Sequence, residues 1–215
     1  MRLWFENNLS FVVNKGSVYR LLVFRISLLF VLYAVQRLAF FFINHQLFDK
    51  VTFSSLTYMM YGGIQFDLTA ILYVNVLFIV LLCLPFTFRT KGWYQKILTW
   101  LFVLSNSLAF VMNGADMIYY QFTLRRTTFS VLKEFQNEEG HLIKLFSQFI
   151  FNYWYVSLLV TFLVVFFVWM VRKVRVVYYD PRNKLSFFLF SAVLLVFTVA
   201  LSVVGIRGGV GKHIR

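Results

Sequence analysis

The sequence predicts an all-α membrane protein: five transmembrane helices, N-terminus inside and C-terminus outside, with an interfacial amphipathic helix between helices 3 and 4. Composition is the first observation behind this. The chain is 60% hydrophobic and only 13% charged, with a mean hydropathy of +0.75, values that belong to membrane proteins. The second is the spacing of apolar runs, at about 21–43, 63–86, 97–120, 153–171 and 185–205. Each is long enough to cross the roughly 30 Å hydrocarbon core as a helix. The third is where the basic residues stand. Outside the runs, eleven Lys and Arg fall in segments 1–20, 87–96 and 172–184, against eight in the longer set of intervening segments. The positive-inside rule then puts the N-terminus in the cytoplasm and, after five crossings, the C-terminus outside.

The first run is too long for the apolar core of a secretory signal and lacks a small-residue cleavage site, so it reads as a retained helix. Pro85 closes the second, because proline cannot continue a helix. Short inner loops make one hairpin of helices 2 and 3 and another of helices 4 and 5, the latter turning at Asp180-Pro181. The connection 121–152 is longer and has structure of its own. In it Leu142, Leu145, Phe146, Phe149 and Ile150 recur at helical spacing, with Lys144, Ser147 and Gln148 opposite. This is the signature of an amphipathic helix over about 141–151, lying in the outer interface. A shorter helical piece over 127–136 precedes it, separated by the Asn137–Gly140 break. Residues 1–205 thus form one membrane domain. Residues 206–215, rich in glycine and basic side chains, read as the start of a linker to an extracytoplasmic domain.

The net charge of +13 does not point to nucleic acid, because the basic residues flank apolar spans. It points to topology and to anionic phospholipid, with the outer leaflet as the candidate partner surface. A single cysteine, Cys83, rules out an intrachain disulfide or a cysteine metal cluster. His45, His141 and His213 have no spacing suited to zinc. Glu138-Glu139 reads as a solvated loop pair, and no Ser, Thr or Cys has a visible general base. These 215 residues therefore carry no recognisable catalytic or metal site.

The candidate chemistry lies in Arg37, Asp67 and Asp116, one in each of the first three spans and each toward the outer end. An ionised side chain deep in a bilayer costs roughly 2.5–3.5 kcal/mol on insertion scales, so such groups pair or serve a site. Gln65, Asn113 and Asn44 stand where they can complete an intramembrane polar network. One reading is a clamp fixing how helices 1 to 3 pack; another is a site for a lipid phosphate in the outer leaflet; a third is separate snorkelling without contact. Arg125, Arg126 and Arg207 are candidates for lipid-headgroup contact, since the guanidinium fork matches phosphate oxygens. Ser105, Asn106 and Ser107 read as glue between helices.

Two stretches carry a family resemblance: GIQFDLTAILYVNVLFIVLLCLPF at 63–86 and NGADMIYYQFTLRRTTFSVLKEF at 113–135, with GIRGG at 205–209. They resemble the second helix, the third helix with its following segment, and the domain exit of the lipoteichoic acid synthase-like family. That family takes in phosphoglycerol transferases and sulfatase-like relatives of the alkaline phosphatase superfamily. The resemblance implies a bacterial cytoplasmic-membrane protein of the cell envelope, whose five helices anchor an extracytoplasmic catalytic domain. That domain uses a threonine nucleophile and a divalent metal, typically manganese, to move a phosphoglycerol group from a lipid. No residue here matches the nucleophile or the metal ligands. Asp67 and Asp116 match acidic positions of the membrane part, and Gln65 stands where the family often has arginine. The alternatives are a free-standing membrane accessory protein and a small transporter.

Overall fold

The computed structural model describes residues 11–13, 18–48, 52–84, 91–124 and 151–176, with ten positions between 188 and 203. It is almost entirely helical. Four long helices form the bundle: α1 (Val18–Ile43), α2 (Phe53–Cys83), α3 (Gly92–Thr123) and α4 (Trp154–Lys173). All four are long and apolar enough to cross a membrane, so the chain is a multi-pass membrane protein. In hydrocarbon every backbone N–H and C=O must be satisfied within the protein, and an unbroken helix does that locally.

Contacts along the helices set their directions. Arg25 meets Phe78 while Arg37 meets Asp67, so α1 and α2 run antiparallel. Phe78 against Phe102 and Asn75 against Asn106 make α2 and α3 antiparallel, and Phe102 against Phe167 with Phe122 against Tyr153 does the same for α3 and α4. Four crossings bring the chain back to the side where α1 began. There β1 (Phe11–Val13) pairs in parallel with β2 (Val174–Val176), Phe11 opposite Val174. This short ribbon ties the segment before α1 to the exit of α4. Three-residue strands leave no periodic signal, and the sequence does not announce them.

The core is aromatic. Phe78, Phe102, Phe110 and Phe167 are fully buried, with ring centroids 4.7–5.5 Å apart. Phe102 and Phe110 lie two turns apart on one face of α3, and Phe167 of α4 packs against both. The opposite faces are exposed apolar stripes: Ile97, Trp100, Leu104, Leu108 and Val111 on α3; Tyr155, Leu158, Phe162, Val165 and Trp169 on α4. Both stripes advance by three or four residues, the period of one helix face. Apolar stripes of this length suit contact with lipid tails.

Helix ends depart from the predicted spans in places. α2 begins at Phe53, ten residues before the predicted start at 63. The helix runs through Ser54, Ser55, Thr57 and the Gly62-Gly63 pair before the predicted span is fully entered. Phe53, Tyr58 and Tyr61 are exposed on this extension, where aromatic side chains suit a membrane–water interface. With 31 residues in α2 and 32 in α3, both helices span about 47 Å and overrun the hydrocarbon core. α2 ends at Cys83, and Leu84 is extended (φ −52°, ψ 135°), the conformation favoured before Pro85. α3 closes on Leu124 in the left-handed region (φ 53°), whose N–H returns to the Tyr120 carbonyl, a left-handed C-terminal cap. In α4, Arg172 and Lys173 occupy the last turn, where positive charge complements the helix dipole. The described positions between 188 and 203 are helical, and Leu195 among them packs on the core. The interfacial segment 141–150, the piece at 127–136 and the linker 206–215 lie outside the described residues.

Gly114 sets how closely α3 and α4 approach. A Cβ there would sit inside van der Waals contact of the Val160 methyl Cγ2, and the branched valine has little freedom to move aside. Alanine gains about 1 kcal/mol of helix propensity over glycine, but overpacking costs about 1–3 kcal/mol. Gly114→Ala is therefore expected to lower the melting temperature in detergent, and Val160→Ala in the same chain to restore it. A G114A chain that melts no lower than the parent would show that the two helices do not pack this closely at Gly114.

Candidate functional site

The most strongly ionic arrangement among the described residues lies between α1 and α2. Arg37 points across to α2, where Gly63 and Asp67, one turn apart, share a face. Its Nη2 group donates to Asp67 Oδ1 at 2.5 Å and to the Gly63 carbonyl at 2.6 Å. The two side chains are only 19% and 16% exposed. Opposite charges at this distance neutralise one another, so the pair enters the membrane interior as a near-neutral unit. Gly63 makes it possible, because the guanidinium occupies the space that a Cβ at 63 would fill. The neighbouring Gly62 has nothing within 4 Å of the same position.

A second set of hydrogen bonds joins α1 to α3 at the same level. Gln36, 3% exposed, donates from Nε2 to the Phe110 carbonyl (3.0 Å) and accepts from Asn113 Nδ2 at 3.1 Å. Two turns on, Asn44 ends α1 by donating from Nδ2 to the carbonyls of Phe40 and Met117, both at 3.0 Å. Arg37 and Gln36, adjacent in sequence, thus fasten α1 to two different neighbours.

Of the residues singled out from sequence, the structure joins Arg37 to Asp67, and places Asn113 and Asn44 on the α1–α3 seam. Asp116 is half-buried on α3, one turn from Asn113, and stands apart from the Arg37–Asp67 ion pair. Gln65 is exposed on α2, and its backbone carbonyl accepts from Thr69. Asp67 lies fourteen residues from the start of α2, not four as the apolar run suggests, so α2 projects well beyond the end of α1. Arg125, Arg126 and Arg207 lie outside the described residues.

The polar seam continues toward the opposite end of the bundle. Asn75 and Asn106 are fully buried and exchange amide hydrogen bonds at 3.0 and 2.8 Å. Each spends its second N–H on the carbonyl four residues back, Ile71 and Phe102 respectively. Both amide nitrogens are thereby fully used. Deeper still toward that end, Arg25 is 3% exposed, donates from Nη2 to Thr99 Oγ1 at 2.8 Å, and packs against both the Phe78 and Phe102 rings, 5.1 and 5.0 Å from their centroids. On α3 the polar positions Thr99, Asn106 and Asn113 are seven residues apart, which keeps them on one seam. Gln36, Asn75 and Arg25 are not evident from sequence as members of it. The heptad spacing on α3 is the signal that points to it.

Chemically, the Arg37–Asp67 pair balances its own charge, and the amide hydrogen bonds of Gln36, Asn44, Asn75, Asn106 and Asn113 join one helix to another. Among the described residues, no three His, Cys, Asp or Glu side chains come together as a metal site. No family model, curated protein or solved structure matches the chain.

Proposed function

We propose that the chain is the membrane domain of an extracytoplasmic phosphoglycerol transferase or sulfatase-like enzyme, anchoring the enzyme and placing its lipid substrate. The observation that supports this reading is the Arg37–Asp67 pair set over Gly63, with Gln36, Asn113 and Asn44 beside it. These groups gather in the part of the bundle where α1 ends, and Asp67 and Asn113 lie in the two stretches that resemble the lipoteichoic acid synthase-like family. In this reading the domain has five spans, enters from the cytoplasm and leaves outside after the span at 185–205. The interfacial helix at 141–151 rests on the outer leaflet, and Arg125, Arg126 and Arg207 meet phospholipid headgroups there. Manganese and the threonine nucleophile belong to the catalytic part, and no chemical step is assigned to these helices.

The test is the mass of the native protein in its own membrane, read with an antibody against segment 121–152. The reading expects a band several tens of kilodaltons above the 25.5 kDa of this chain. A band near 25.5 kDa would overturn it in favour of a free-standing accessory protein.

A further inference from the structure

At the opposite end of the bundle from the Arg37–Asp67 pair, where α1 and α3 begin and α4 ends, the helices part around a cavity of about 340 Å³. Its walls come from three helices and the start of β2. They include Arg25, Gln95, Lys96, Thr99, Trp100 and Arg172. Ligand sites range upward from about 300 Å³, so this volume suits a small polar group with a few attached carbons. Among the described residues, three cationic side chains line it, one from each helix, and no acidic residue does.

We propose that this cleft binds the phosphate headgroup of an anionic phospholipid drawn from the leaflet at that end of the bundle. Lys96 and Arg172 are exposed and reach the entrance on flexible stems. Arg25 supplies a fixed charge at the floor, packed against two phenyl rings and bonded to Thr99. Thr99 is turned to match. Thr57, Thr69 and Thr123 each donate their hydroxyl to the carbonyl four residues back. Thr99 instead accepts from Arg25, which leaves its O–H to point at an anion.

Trp100 argues for a lipid rather than a free anion. It follows Lys96 by one turn, lines the cleft and is 66% exposed. An indole at the level where headgroup meets chain is a membrane-interface feature. A bound phospholipid would set its phosphate among Lys96, Arg172 and Thr99 and its first acyl carbons along Trp100. Soluble phosphate could use only the first part.

The experiment is native mass spectrometry of the full chain in detergent, titrated with phosphatidylglycerol, phosphatidylcholine or glycerol phosphate. Phosphatidylglycerol is expected to remain bound at concentrations where the other two do not. The K96Q/R172Q chain should bind it about tenfold more weakly or worse, each basic residue near a membrane surface contributing a similar increment. A control, K91Q/K173Q, removes the same charge from the same end without touching the cleft. Equal loss in the control would reduce the effect to diffuse surface attraction and overturn the site. So would equal binding of phosphatidylcholine. Retention of glycerol phosphate as firmly as lipid would overturn the lipid as occupant. Melting curves of both double variants, expected to match the parent, separate lost binding from lost folding; a K96Q/R172Q chain that binds less only because it melts lower would also overturn the site.

Discussion

Replacing Arg37 by glutamine, or Asp67 by asparagine, is expected to destabilise the bundle by about 2–4 kcal/mol, because each change takes the countercharge of their ion pair away from the charge that remains, in a site where the two side chains are 19% and 16% exposed. The double variant R37Q/D67N has no charge left to strand and should recover much of the loss. A coupling of about 1–3 kcal/mol between the two positions is the expected result of the cycle, read from detergent-induced unfolding. Strict additivity would mean that the 2.5 Å contact contributes nothing beyond its two halves. Asp116 supplies the comparison. It is half-buried on α3 but belongs to no ion pair with Arg37, so D116N combined with R37Q should show no such coupling.

The two adjacent glycines of α2 extend this test. Gly62 faces open space, so Gly62→Ala should stabilise by about 0.5–1 kcal/mol through helix propensity alone. Gly63→Ala puts a methyl where the Arg37 guanidinium lies. The arginine must then withdraw from both the Gly63 carbonyl and Asp67, and the net effect is a loss of about 1–3 kcal/mol. In the R37Q background the obstruction is gone, and Gly63→Ala should become as favourable as Gly62→Ala. If both alanines behave alike in the parent, the guanidinium does not sit over Gly63.

Much of the bundle is legible in sequence because hydrocarbon imposes a coarse rule. A run of some twenty apolar residues has few other uses, and Arg37 and Asp67 stand out against it for the same reason. Their pairing is less legible, since it depends on how each helix is turned about its axis. Asp67 and Asp116 are equivalent candidates on sequence, and only the packed faces of α2 and α3 choose between them. Glycine is a poor helix former, and nothing local tells that Gly63, inside α2, makes room for a side chain from another helix. Arg25 is hidden for a different reason. An arginine one turn inside the end of a span looks like a topology signal, and nothing local tells that Phe78 and Phe102, some 50 and 80 residues away, will close over it.

Asn75 and Asn106 should show how a polar contact can set register more than stability. Asn75→Leu leaves Asn106 with an amide group facing apolar neighbours, at a cost of about 1–2 kcal/mol. The double variant N75L/N106L removes both amides and is expected to regain most of it, since interhelical hydrogen bonds in membranes contribute modestly against a lipid-filled reference. What the double variant should lose is uniqueness. A slide of α2 along α3 by one turn would bury two unmatched amides in the parent but only leucines in the variant. Spin labels at Tyr73→Cys and Leu104→Cys, both exposed positions, in a chain carrying Cys83→Ala, would report the α2–α3 separation. A narrow distribution in the parent and a broadened one in N75L/N106L is the expected pair of results. If the distribution stays narrow without the asparagines, the register is held by Phe78 against Phe102 at 4.7 Å, and the buried amide pair is left with only its small energetic contribution.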